Sequence, residues 1–278
     1  MIEAGLFDLD LTLINLEGRL YPGLDSIVEP NNHGFAMTVL TGRGYPRYRE
    51  ALEKNPELIL PASMPVALEH GARIVDGKGE NLHYVGLSER AVEEVCDYID
   101  RSPVHSVSFY PRDTQAPTVT WSPYPQETLN LGKGYLVNAT LLADKGQLFE
   151  ALQEQEPCTV TYRSFPGTKP VLPTGLDDVK FYTRGRNINF LSKYADKGKA
   201  GLFIAERKGF DLSKTLAAGN DRNDLPLLQM EGLGVPIFVG TDIGPQERRL
   251  LPNGTIFVPD QRQLGGLVAS MTIERRRK

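Results

Sequence analysis

Short apolar runs that end in polar or acidic residues dominate the chain, interleaved with stretches whose apolar positions recur every three or four residues. Ile2 to Leu9 is the first such run, and it leads into acidic residues, the pattern of a buried strand whose C-terminal end delivers side chains to a site. Ala36 to Leu40 repeats that design and opens into Thr41-Gly42-Arg43-Gly44, after which Pro46 to Lys54 reads as a helix with Pro in its first turn. Pro65 to Leu68 is a further strand, and Ala72 to Val75 pairs across a turn at Gly71. Near the other end Thr215 to Ala218 is a short strand running into Gly219-Asn220-Asp221-Arg222-Asn223-Asp224, and Leu225 to Met230 continues as helix. Gly234 to Val239 and Thr255 to Val258 are two more strands. Strands alternating with helices in this way predict a parallel sheet covered on both faces.

The middle of the chain has a different texture. A helix carries Val92, Val95 and Ile99 on one face, followed by strands at Val104 to Tyr110 and Thr118 to Trp121. Leu136 to Leu142, a helix from Lys145 to Gln155, and strands at Thr159 to Ser164 and Val179 to Thr183 complete an α+β insertion. The expected organisation is a core formed by residues 1–76 and 187–278, interrupted by an insert over residues 77–186.

Composition narrows the class. With 278 residues, 40% of them hydrophobic and 24% charged, the chain has the make-up of a globular protein of two modest domains. A formal charge of -4 gives no global electrostatic reason to bind nucleic acid or an anionic membrane, and Arg275, Arg276, Arg277 and Lys278 read as a solvated helix end. Cys96 and Cys158 are too few for a disulfide framework, and His33, His70, His83 and His105 show no Cys/His metal spacing. Met1 leads almost directly into an apolar strand, without the basic stretch and long apolar run of a signal peptide, so a cytoplasmic protein is expected, a monomer or small homo-oligomer.

Four short elements carry candidate chemistry. Asp8-Leu9-Asp10-Leu11-Thr12 sets two carboxylates at a strand's end, where both reach one pocket. Their mutual repulsion is relieved by a divalent cation, and a hard, oxygen-preferring ion such as Mg²⁺ also suits a phosphoryl substrate. Thr41-Gly42 places a hydroxyl beside unencumbered backbone N–H groups, a cradle for phosphate oxygens. Lys197-Gly198, just ahead of the amphipathic run Ala200 to Arg207, brings an ammonium to the same strand ends, and Gly219 to Asp224 packs carboxylate and amide side chains where a strand opens into a helix. Each has a plainer reading: a strand-to-loop cap, a turn, an exposed lysine, a helix cap.

In this order the four elements resemble the haloacid dehalogenase superfamily of phosphohydrolases over almost the whole chain. Phe7-Asp8-Leu9-Asp10-Leu11-Thr12-Leu13 is similar to its first motif, Leu40-Thr41-Gly42-Arg43 to its second, Lys197-Gly198 to its third and Gly219 to Asp224 to its fourth. Leu68-Glu69-His70-Gly71-Ala72 is similar to a segment of the branch with a large α+β cap between motifs two and three, which includes sugar-phosphate phosphatases, sucrose- and mannosylglycerate-type phosphatases and phosphomannomutases. The resemblance implies a Rossmann-like α/β core with an inserted α+β cap domain. It implies Asp8 as nucleophile, Asp10 as acid/base, Mg²⁺ held by Asp8, Asp10, Asn220 and Asp224, and phosphate held by Thr41, Gly42 and Lys197. Arg43, Asp221 and Asn223 would support them, and Arg163, Lys180, Arg184 and Arg186 would contact a small phosphate ester. Two residues depart from the family: Leu11 stands where a Gly is usual, and Asn220 where a metal-binding Asp is usual. A phosphosugar mutase and a non-catalytic phosphosugar-binding regulator are the competing readings.

Overall fold

The computed structural model describes residues 1–28, 35–124, 139–241 and 243–272. His33, the Arg275 to Lys278 run and the first three residues of the strand expected from Leu136 lie outside the described residues. Along the chain the elements are β1 (Ala4–Phe7), α1 (Asp25–Val28), β2 (Ala36–Val39), α2 (Tyr45–Lys54), β3 (Val66–Leu68), β4 (Arg73–Val75) and β5 (Asn81–Tyr84). Next come α3 (Glu89–Arg101), β6 (Ser106–Phe109), β7 (Thr118–Trp121), β8 (Ala139–Leu142), α4 (Lys145–Gln155), β9 (Thr159–Arg163), β10 (Val179–Arg184) and β11 (Asn187–Ser192). The last are α5 (Lys197–Lys208), β12 (Thr215–Gly219), α6 (Leu225–Leu228), β13 (Val235–Val239), α7 (Pro245–Arg248), β14 (Ile256–Val258) and α8 (Leu264–Thr272).

The chain folds as two compact units, Met1–Leu82 with Asp196–Lys278, and His83–Ala195. In the first, an all-parallel sheet runs in the order β14-β13-β12-β1-β2. Successive side chains point to opposite faces. Phe7, Val39, Ala218 and Ile237 therefore pack with Tyr48 of α2 and with Leu264 and Val268 of α8, while Leu6, Ala217 and Phe238 pack with Ala200 and Ile204 of α5 and Leu227 of α6. Parallel pairing leaves the C-terminal ends of β1, β2 and β12 along one edge, the edge where open α/β sheets bind ligands. Beside the main sheet, β3 and β4 pair antiparallel through the turn at Glu69–Gly71.

The second unit is a six-stranded sheet in the order β10-β11-β9-β6-β7-β8, antiparallel except for the β7–β8 pair. One face is apolar and buries Val107, Phe109, Val160, Tyr162, Ile188 and Phe190 under Val92, Val95 and Ile99 of α3 and Leu148 and Leu152 of α4. The alternate positions are polar, and Arg184, Asn187, Arg163 and Ser106 fall in one register row. The insert expected to end at 186 runs on to Ala195, because β11 pairs with both β9 and β10. Its alternation Asn187-Ile188-Asn189-Phe190 after a turn at Gly185 (φ 60) is a hairpin signature that the sequence reading passed over. None of the helices among the described residues is long and apolar enough to cross a membrane.

Glu69 and Arg73, at 0% and 1% side-chain exposure, form an ion pair of 2.8 Å that ties the turn to β4. Removing one partner of a pair buried this deeply costs about 3–5 kcal/mol. Arg73→Met is expected to lower the urea unfolding free energy by that amount, and the double variant Glu69→Leu with Arg73→Met to regain most of it.

Candidate active site

β1 ends at Phe7, and the next backbone N–H, that of Asp8, still donates to the Ala218 carbonyl of β12 at 2.8 Å. The ladder thus carries Asp8 to the edge of the sheet and buries it to 5% exposure. Beyond it the chain turns sharply: Leu11 sits at φ 59, a left-handed conformation that favours glycine, and its N–H donates to the Ile14 carbonyl at 2.7 Å. Leucine therefore accepts the backbone shape that glycine usually provides here.

Lys197 is the first residue of α5, whose N-cap Asp196 accepts from the Lys199 N–H. A cation at a helix N-terminus opposes the helix dipole. Two carboxylates offset that conflict: Lys197 Nζ lies 2.6 Å from Asp8 Oδ1 and 2.5 Å from Asp224 Oδ1, with Lys197 and Asp224 fully buried. Burial alone would lower the Lys197 pKa, but the Asp224 and Asp8 charges outweigh it and hold the ammonium above its ordinary value. Asp8 is pushed the other way, up to about 7, first by burial and then by the Asp224 charge, against the pull of Lys197. One buried cation between two buried carboxylates leaves a net negative charge in a dry place.

Asp224 also closes the fourth loop. Its Oδ2 accepts the N–H groups of Asn220 and Asp221 at 2.9 and 3.0 Å, and Asp221 completes a reciprocal capping box with it. Both acids are thereby engaged, Asp224 being one of the four residues, with Asp8, Asp10 and Asn220, expected to hold a metal.

The other three of those residues bring together Asp8 Oδ2, the Asp10 backbone carbonyl and the Asn220 amide. With its oxygen inward, Asn220 faces only acceptors; with the amide turned, its nitrogen donates to Asp8 Oδ2 at 3.2 Å and to the Asp10 carbonyl at 2.9 Å. Apart from the Thr12 hydroxyl, 3.3 Å from both Asp8 Oδ2 and Asn220 Oδ1, these groups form a knot of acceptors, a set that fits a hard divalent cation, and a turned amide is what satisfies it otherwise. Among the described residues no three His, Cys, Asp or Glu side chains converge as a metal cluster; the oxygens here come from one carboxylate, one amide and one carbonyl.

The Asp10 carboxylate points elsewhere, into a bidentate pair with Arg43, whose Nη2 and Nε lie 2.6 and 2.9 Å from its two oxygens. Thr41 is fully buried at the end of β2, its Oγ1 accepting the Arg43 N–H at 3.1 Å. Asn223 donates to His70 Nδ1 at 3.0 Å, so the fourth loop reaches the Glu69–Gly71 turn. Asp8, Asp10, Thr41, Gly42, Arg43, Lys197, Asn220, Asn223 and Asp224 thus gather at one sheet edge. His70, outside the four motifs, joins them; its place between Glu69 and Gly71 is its signal in the sequence. The four cations expected to contact substrate lie in the second unit: Arg163 is buried with Nε donating to Asn187 Oδ1 at 3.1 Å, Arg186 Nη1 donates to the Ser164 carbonyl at 3.5 Å, Lys180 is half-buried and Arg184 is exposed.

A family model described as haloacid dehalogenase-like hydrolase matches residues 143–242, a span containing Lys197 and the Gly219 to Asp224 loop. A phosphoglycolate phosphatase of Methanopyrus kandleri is 52% identical over 44 residues, which is 16% of this chain, and the match spans about a fifth (19%) of that protein's length. Among solved structures, a sugar phosphatase of haloacid dehalogenase subclass IIB superposes with a TM-score of 0.70 at 15% identity, covering 97% of each chain. A Thermotoga maritima protein gives 0.71 at 17% identity over 98% of this chain and 97% of its own. A phosphatase from Bacteroides thetaiotaomicron gives 0.70 at 16%, over 98% and 96%. Similarity at these identities carries the fold, a core with an inserted α+β unit, and the match to the haloacid dehalogenase-like hydrolase model is confined to residues 143–242.

Proposed function

We propose that the protein is a Mg²⁺-dependent phosphatase that hydrolyses a small phosphorylated metabolite, a phosphosugar or glycosyl-phosphate, through an aspartyl-phosphate on Asp8. The observation that carries this reading is the buried Asp8–Lys197–Asp224 array beside the acceptor knot. In this reading its carboxylate would meet phosphate held by groups of the second and third motifs. Asp8, the Asp10 carbonyl and Asn220 would hold Mg²⁺, which when bound offsets the negative charge of the phosphoryl group and of Asp8.

The residues of this chain then divide the work. The Asp8 carboxylate attacks phosphorus as the bond to the leaving oxygen breaks. Asp10 gives a proton to that oxygen, and later takes one from the water that cleaves the acyl-phosphate. Both Asp10 oxygens accept from Arg43, and each keeps a second lone pair for the transferred proton. Thr41 Oγ1, the Gly42 N–H and Lys197 hold the non-bridging oxygens. Arg163, Lys180, Arg184 and Arg186, with the hydroxyls and amides on the polar sheet face of the second unit, offer contacts for the rest of a hydroxyl-rich substrate. The sugar phosphatase among the structural relatives supports that substrate class. Both cysteines are free thiols, which fits a reducing, cytoplasmic setting.

Phosphate release from a panel of phosphosugars, phosphoglycerate conjugates and nucleotides should require Mg²⁺ and vanish in Asp8→Asn; equal rates in that variant would remove the nucleophile. A phosphate moved to a new position on a hexose monophosphate, in place of free phosphate, would mark a mutase. Lys197→Ala should lower kcat/KM by on the order of 10²–10³. Asn220→Asp restores a charge to the acceptor knot and should tighten Mg²⁺ in a calorimetric titration, an unchanged constant counting against Asn220 as ligand.

The Asp8 carboxyl also predicts a pH effect. Its folded pKa of about 7 lies above the ordinary 3.8. Stability from the protonated group is complete below pH 4 and lost as pH rises through about 7. Metal-free Asp8→Asn should therefore melt above wild type at pH 8, with the gap closing toward pH 4.

A further inference from the structure

The turn at Glu69, His70 and Gly71 has no part in the chemistry described so far, yet it touches three of the four motifs. Its backbone is left-handed at three consecutive residues, φ 50, 59 and 87. The first two are not glycine, and a side chain strains the backbone there. The Glu69 N–H donates to the Arg43 carbonyl and the His70 N–H to the Thr41 carbonyl, each at 3.0 Å. At Gly71 a Cβ would lie 2.5 Å from the Asp196 carbonyl oxygen and 2.9 Å from the Lys197 nitrogen, so only glycine lets the start of α5 come this close.

What this strained, anchored turn delivers is an imidazole. One ring nitrogen of His70, Nδ1, is 3.0 Å from the Asn223 side-chain nitrogen. An amide N–H donating there leaves Nδ1 as acceptor and puts the proton of the neutral ring on Nε2. The other edge lies over Gly42, where a Cβ would be 2.5 Å from Cε1 and 2.7 Å from Nε2. The protonated nitrogen is thus beside the phosphate cradle, and Gly42 is small because the ring occupies the space a side chain would need.

We infer that His70 is a phosphate-binding residue: its Nε2–H, aimed by Asn223, is a further donor to a phosphoryl oxygen seated on Thr41 and Gly42. The inference rests on the phosphohydrolase reading and adds to it a contact on the same group. A ring that only packs between the second and fourth motifs would share the same neighbours without touching the ligand, and the test separates the two.

Inorganic phosphate is titrated into the full chain by calorimetry, using wild type, Lys197→Ala, His70→Gly and His70→Gln, with each variant's melting temperature recorded. Glycine suits the left-handed backbone, so His70→Gly keeps the turn, and glutamine places an amide N–H near the position of Nε2. Phosphate affinity is expected to fall on the order of tenfold in His70→Gly and to recover in part in His70→Gln. In wild type the His70 Nε2 nitrogen resonance should move as phosphate saturates the site, a readout that needs no variant to fold. Wild-type affinity in a folded His70→Gly, or an Nε2 resonance unmoved at saturation, overturns the inference; if Lys197→Ala still loses phosphate, the phosphatase reading survives. A wild type that neither binds nor releases phosphate overturns both.

Discussion

A single buried ammonium holds the site together. Lys197 Nζ sits between Asp8 and Asp224 with no exposure to water, and each of its partners belongs to a different segment of the chain. Asp8 closes β1, Lys197 opens α5 and Asp224 closes the loop after β12. Removing the ammonium would leave two carboxylates facing each other in a low-dielectric pocket, where charges repel far more strongly than in water. The loop geometry of the fourth motif, the entry of α5 and the position of the nucleophile therefore depend on one charge, which also explains why a lysine is tolerated at the positive end of a helix.

Around that charge the protein separates tasks that one pair of acids would otherwise share. Asp8 faces the ammonium and the acceptor knot, whereas the Asp10 carboxylate is turned to Arg43 and contributes only its backbone carbonyl to the knot. Asp224, an expected metal ligand, spends both oxygens on Lys197 and on two N–H groups of its own loop. The resemblance to the haloacid dehalogenase superfamily implies an acid at position 220; an amide stands there, and it can turn either end inward.

Much of this was legible in the residues because it follows from strand ends. A run of buried residues closing on Asp8-Leu9-Asp10, and another closing on Thr41-Gly42, specify where side chains leave a sheet, and parallel pairing brings the two ends together. Partner choice was not legible, because which acid meets Lys197 and which meets Arg43 is decided by distances between segments far apart in sequence. Leu11 shows a second limit: a leucine says nothing of a left-handed backbone, which the hydrogen bond to Ile14 imposes. His70 shows a third, since its ring matters through Gly42 and Asn223, and neither neighbour is adjacent in the chain. The strand Asn187–Ser192 was missed for a simpler reason, being a short element among turn residues.

The order in which the sheet draws on the chain bears on how the protein is made. β1 pairs with β12 in the register Ala4 with Thr215, so the sheet's centre joins the beginning of the chain to a segment synthesised some two hundred residues later. The insert, His83–Ala195, is continuous and holds its own apolar core. On a ribosome the insert has everything it needs to fold while the first eighty residues, with β1 and β2 already complete, still lack their central partner. Those strands present unpaired edges until the last third of the chain emerges, the period in which such chains are most exposed to aggregation. Chaperone dependence and expression yield would then be set by how the nascent N-terminal segment is protected, and the active site is finished only once β12 and its loop have emerged.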